Sequence, residues 1–188
     1  MTQSGVNTDI QLQQASPIES NIFDFLSKYD LDLQKNLVLD SKCGNVQVQQ
    51  SVGLFRMNRA VQYPFFPVVD TFNSKDSVAG IIVNKLEQIL PLFPSEIKID
   101  TVRSENVLYV STLFTSSNNS GLMSSNFMLS PDPQQNPFLK LLGQSGKVLS
   151  ALSSLKGGGE LMLISDSKFL SDEGGMSIPD NMVFLMNA

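Results

Sequence analysis

The chain has 188 residues, 41% of them hydrophobic, with twelve Phe and no Trp, enough apolar material for one domain with its own core. Its formal net charge is −5, and no basic stripe runs along it, which argues against a phosphate backbone and so against nucleic acid as a partner. It contains no histidine, so Ser-His-Asp and Cys-His nucleophile systems, His-ligated zinc and the side chain that titrates near neutrality are all missing.

Residues 1–15 are polar and Gln-rich without a sustained period, and read as an N-terminal tail or a loosely held edge segment. Ser16, Pro17 and Glu19 then resemble a helix start, with Ser16 as cap, Pro17 in the first turn and Glu19 completing a capping box. Ile18, Ile22, Phe25, Leu26 and Tyr29 follow on one face at helical spacing. Residues 36–40 read as a short buried strand and residues 45–50 as an alternating one. In Tyr63-Pro64-Phe65-Phe66-Pro67, two prolines forbid a central strand or a helix and hold the aromatics in a stiff, extended segment.

A second helix is expected over residues 77–90, with Val78, Ile82, Leu86 and Ile89 inward and Pro91 stopping it. Residues 96–100 and 107–114 read as strands joined by a turn at 103–106. A polar loop (115–121), an edge strand (126–130), a linker (131–137) and one helical turn ending at Gly143 come next. Residues 148–152 and 160–164 read as buried strands, with a tight glycine turn at 156–159. Asp180 is expected to cap a final helix over 181–187, which carries no stop signal and points to a further element beyond it. Helices interleaved with short apolar strands predict a single α/β domain over residues 16–188, a layered mixed sheet with flanking helices.

Candidate chemistry is sparse. Ser165 and Lys168 have the spacing of a Ser-Lys acyl-transfer pair, but they follow a strand where that pair needs a helix start. Gly157-Gly158-Gly159 precedes a strand and lacks the Lys-Ser/Thr ending of a phosphate loop, so it reads as a turn. Asp30, Asp32 and Asp40 lack the ligand spacing of a calcium loop and read as solvated loop carboxylates. Cys43 stands alone, forms no intrachain disulfide and reads as a small buried hydrophobe. No cofactor is expected, and no metal.

Two surfaces remain as binding candidates. Two apolar strands end in the same tripeptide, Asp40-Ser41-Lys42 and Asp166-Ser167-Lys168, and ligand crevices of open α/β sheets lie beyond the carboxyl ends of strands. Asp166, Ser167 and Lys168 are therefore binding candidates, against the simpler reading that each Asp caps a turn through its neighbours' N–H groups. Tyr63, Phe65 and Phe66 form the other, either as low-entropy anchors for a partner or as a cover for the sheet. No apolar run approaches the roughly 18 residues that span a bilayer, and no signal peptide opens the chain.

Several strings, in order, resemble the auxiliary proteins of gliding-motility ABC transporters, the GldG type, and their wider family of ABC-type uncharacterized transport system domains. These are Asp24-Phe25-Leu26-Ser27-Lys28-Tyr29, Leu37-Val38-Leu39-Asp40 with Cys43 behind it, and Gln62-Tyr63-Pro64-Phe65-Phe66-Pro67-Val68-Val69. Leu92-Phe93-Pro94-Ser95-Glu96-Ile97 follows, then Leu163-Ile164-Ser165-Asp166-Ser167-Lys168-Phe169 and finally Asn181, Phe184, Leu185 and Asn187. Together they cover residues 18–188. The stretch 148–160 is shorter than the family pattern, and the upstream half of that pattern is absent.

The resemblance implies an extracytoplasmic, periplasmic domain of a protein anchored in the bacterial inner membrane. Its fold would be akin to class I glutamine-amidotransferase-like, flavodoxin-like domains without their catalytic residues. The implied role is binding or scaffolding without turnover, and the implied partners are permease and ATPase subunits or other envelope proteins, with a homodimer possible. A periplasmic receptor for a sugar or peptide, using a crevice near Asp166 and Tyr63, is the alternative expectation, and a degenerate hydrolase the second.

Overall fold

The structure, a computed structural model, describes all residues except 53–54, 74–76, 101, 133–134, 136–137, 173 and 176–177. In chain order the elements are β1 (Val6–Asp9), β2 (Gln14–Pro17), α1 (Ile22–Ser27), β3 (Asp32–Leu33), β4 (Leu37–Asp40), β5 (Cys43–Val52) and β6 (Phe55–Pro67). Then come α2 (Ser77–Ile82), β7 (Ile97–Lys98), β8 (Val107–Thr115), β9 (Ser120–Met123), a 3-10 turn (Phe138–Leu141), β10 (Val148–Leu155), β11 (Glu160–Ile164) and α3 (Pro179–Asn187).

The centre is a three-stranded sheet in the order β11-β10-β8, antiparallel throughout. β10 is buried from Leu149 to Ser154, as a strand covered on both faces must be. Its serines are small enough to admit packing from both sides, and Ser150 Oγ satisfies itself on the carbonyl of Leu163 at 2.8 Å. Gly158 and Gly159, at φ of 87° and 94°, make the turn into β11, a conformation side chains disfavour. On one face, Leu113, Leu149, Leu152 and Ile164 pack with Ala79 and Ile82 of α2, with Phe169 in the turn after β11 and with Phe184 of α3. On the other, Ala151 and Leu163 pack with Leu26 of α1, Leu31, Leu33 and Ile97. Helices thus flank the sheet on both sides, and the α/β layering holds.

A second core adjoins the first. It gathers Tyr63, Phe65, Phe93, Phe127 and Phe138 with Leu37, Leu39 and Met123 of the β4–β9 pair. Alternation along β4 joins the two, since Val38 points into the first core while Leu37 and Leu39 point into the aromatic one.

Several elements differ from the expectation. Instead of one layered mixed sheet, the named ladders are small and antiparallel; a parallel pairing occurs at Thr2 and Ile164. Of the two readings of residues 1–15, the structure has the edge segment and not the tail. The Met1 ammonium donates to the Met162 carbonyl (2.8 Å), Gln3 N–H to the Ile164 carbonyl (3.0 Å), and β1 pairs with β2. Here the open edge of β11 supplies backbone partners to a segment whose side chains carry no signal. Gly5 is needed in it because a Cβ would stand 1.9 Å from the Gln34 carbonyl oxygen.

The first helix begins at Ile22 and not at Pro17: the bond from Ile18 N–H to the Gly5 carbonyl (3.0 Å) keeps the chain extended, and Ser20 Oγ accepts from Ile22 N–H. The second helix ends at Ile82, because Lys85 turns to φ 59° and Ile89 exchanges two 2.9 Å bonds with Val69. The two strands read on either side of residues 103–106 are both present, but in separate sheets, β7 paired with β3 and β8 with β10. Residues 126–130 make an isolated bridge to Gln14. Residues 133–134 and 136–137 of the expected linker lie outside the described residues. Asp180 caps nothing in its own helix; its Oδ2 accepts from Glu87 and Gln88 N–H instead.

Candidate functional site

β11 delivers its last residue to Ser165, whose N–H is held by the Leu149 carbonyl at 3.0 Å. The next residue, Asp166, is fully buried. Its Oδ1 accepts from Lys168 N–H (2.7 Å) and its Oδ2 from Leu92 N–H (2.8 Å). Burial pushes its carboxyl up to about 6, against the opposing pull of those two N–H groups and the Lys168 charge. Ser167 N–H donates to Ser4 Oγ (2.9 Å), and the two hydroxyls lie 3.2 Å apart. Lys168 Nζ sits 5.9 Å above the centre of the Phe93 ring, within cation–π range.

The aromatic candidates meet the same residue from the other side. Phe93 meets Tyr63 and Phe66 edge-on and Phe65 at a tilt, at ring separations of 6.0, 5.0 and 6.1 Å, and its N–H donates to the Phe65 carbonyl. Tyr63 and Phe65 are buried and Phe66 half-buried. The Tyr63 hydroxyl donates to the Leu129 carbonyl at 2.6 Å, and burial raises its pKa. The ladder register passes from Gln62–Asn45 to Pro67–Cys43, so residues 63–66 bulge past a single residue, Gly44. That bulge is where a strand tolerates Pro64, which has no N–H for the ladder.

The structure therefore unites the two sets, Tyr63, Phe65 and Phe66 with Asp166, Ser167 and Lys168, through Leu92 and Phe93. Phe93 adopts φ 53°, unusual for a bulky residue and sustained by its surroundings. Backbone groups on either side of it are engaged by distant segments. Val38 N–H reaches the Pro94 carbonyl (2.8 Å), Ser95 N–H the Ser165 carbonyl (3.0 Å), and Asn181 brackets Leu90. Ser95 Oγ donates to the Asn36 carbonyl and accepts from Gly5 N–H. The string Leu92-Phe93-Pro94-Ser95 was visible in the sequence, but its role as a spine was not, because these bonds are long-range and mostly backbone.

The repeated tripeptide is a repeated geometry. Asp40, also buried, accepts from Lys42 N–H (2.9 Å) with Oδ1 and from Ser117 N–H (2.6 Å) with Oδ2, as Asp166 does from Lys168 and Leu92. Each Asp thus closes its own turn and clasps a distant segment. Lys42 pairs outward with Asp70. Asp30 binds the N–H and hydroxyl of Ser104, and Asp32 the amide of Gln34, so these carboxylates are spread over separate loops. Among the described residues no group of three or more Cys, Asp or Glu could hold a metal. Ser165 Oγ is buried without a partner, and Cys43 is half-buried with its thiol raised by burial.

Beyond the aromatic core, β5 and β6 continue as a two-stranded ribbon. Residues 55–60 are all exposed, Phe55 and Met57 to 75% and 59%. A groove of about 390 Å³ runs beside it, lined by Val46, Gln47, Val48 and Gln49 together with Tyr63, Phe66 and Phe93. Among the described residues no helix is long and apolar enough to cross a membrane.

No curated protein matches the chain. The family model for the ABC-type uncharacterized transport system matches residues 2–188, the whole of the spine, both cores and the ribbon, and the chain belongs to that family.

Proposed function

We propose that the chain is a non-catalytic binding and scaffolding domain of an ABC-type transport assembly, working on the extracytoplasmic side of the membrane in a gliding-motility or export system of the GldG type. The observation that carries this reading is the state of Asp166. The carboxylate just beyond the end of β11 commits both oxygens to backbone N–H groups, and its neighbours Ser167 and Lys168 hold Ser4 and Phe93. Family membership supports the transport role. Permease and ATPase subunits are the partners in this reading.

Deleting the gene should impair export or surface motility, and the purified protein should co-purify with the permease while turning over no substrate. Wild-type export in the deletion strain would overturn the reading. A relationship to amidotransferase-like domains belongs to the same proposal, supported by the sheet-end position of Asp166. A solved structure of a longer family member with a parallel, helix-flanked sheet would bear it out, and antiparallel ladders throughout would refute it.

A further inference from the structure

The groove beside the ribbon has a geometry that selects its occupant. Successive side chains of a strand point to opposite faces, so four consecutive residues, 46–49, can line one groove only if it runs along the strand's edge. β5 is paired on one side, to β6, and among the described residues no hydrogen bond reaches its other side between Val46 and Gln50. In an antiparallel pair, every second residue directs its N–H and C=O away from the partner strand. A row of unpaired donors and acceptors therefore faces the groove.

Edges of this kind are normally blunted by charge, proline or a bulge. The β6 edge carries Arg59 and leads into the Pro64 bulge. β5 carries no charged residue and no proline, and Val46 and Val48 alternate with Gln47 and Gln49. The same groove supplies half-buried aromatic surface at Phe66 and apolar walls at Ile10 and Leu129.

We propose that β5 is a strand-addition site: an extended segment of another polypeptide pairs with residues 46–50, places alternate apolar side chains over Tyr63, Phe66 and Phe93, and presents a carboxylate toward the ribbon's arginines. Main-chain bonds give such a complex its affinity and the alternate pockets its preference. The charge preference follows from Arg56 and Arg59, which with no acidic residue across positions 43–67 make the ribbon cationic in a chain of net charge −5. The proposal rests on the binding reading above and names the chemistry of what is bound.

The test is an NMR titration of the full chain with a synthetic heptapeptide, acetyl-Val-Thr-Val-Thr-Val-Asp-Glu-amide, and two versions of it N-methylated at alternate residues in opposite frames. The unmodified peptide should protect β5 amides from exchange. One methylated frame should bind about tenfold more weakly or worse, having lost two or more main-chain bonds, and the other should bind as before. Arg56→Glu with Arg59→Glu should weaken this peptide severalfold and leave the version ending in Asn-Gln unchanged. Equal binding by both methylated frames, shifts away from β5, no binding at millimolar peptide, or self-association through the ribbon in sedimentation would each overturn strand addition. Co-purification with the permease in the face of such a result would leave the transport reading standing, whereas edge binding without co-purification would remove that reading alone.

Discussion

Replacing Asp166 by Asn tests whether burial or hydrogen bonding governs the clasp. A carboxyl whose folded-state pKa is raised to about 6 from an unfolded value near ~4 stabilises the fold while protonated. That contribution is complete below pH ~4 and is lost as the pH rises through about 6, some two pH units worth about 3 kcal/mol. Because Asp166 is buried, solvent screening does not reduce it. The protonated acid and the amide each offer one strong acceptor to the N–H groups of Leu92 and Lys168, so wild type and Asp166→Asn should be near parity at pH 4. By pH 7.5 the variant should be the more stable by about 3 kcal/mol. Urea unfolding at several pH values measures this as a difference in which the other carboxylates cancel, and the chain has no histidine to titrate between. Parallel curves, or a wild type that gains on the variant as pH rises, would refute the reasoning: charge-assisted bonds from Leu92 and Lys168 would then outweigh desolvation.

Asp40→Ala should cost about 2–5 kcal/mol, since it strips acceptors from the N–H groups of Lys42 and Ser117 and from the Ser117 hydroxyl; chemical denaturation measures it, and a loss under 1 kcal/mol would show that water substitutes freely. Gly5→Ala should lower the melting temperature by forcing the backbone at position 5 away from the Gln34 carbonyl, and exchange of the Gln3 amide, bonded to Ile164, should rise with it, while unchanged exchange would mean the backbone shifts without cost. Phe93→Ala should cost about 3–5 kcal/mol through loss of ring contacts to Tyr63, Phe65 and Phe66, and should leave Lys168 more mobile by NMR.

Much of the strand content was legible because burial writes itself into composition. Leu37-Val38-Leu39 and the run 160–164 are continuous apolar strings, and Val46 and Val48 alternate with glutamine as a half-exposed strand demands. The helices were overestimated where helical spacing was bent by long-range partners, as at Ile89, whose amide and carbonyl belong to Val69. Tail and edge segment could not be told apart over residues 1–15 for a related reason: pairing to the edge of β11 uses backbone atoms that every residue has. At the candidate site, the sequence named Asp166 and Tyr63 separately. It could not join them, because the joint is a backbone conformation at Phe93 and an N–H at Leu92, neither of which leaves a mark on residue identity.

Residues 89–96 are tied to Val69, Asn181, Asp166, Phe65, Val38 and Ser165 in turn, so neither core can open without releasing the other. Their amides should exchange with solvent at the rate of global opening alone, making the body a single cooperative unit. Residues 48–50 and 55–59 of the ribbon share none of these ties, so their amides should exchange independently of the opening of either core.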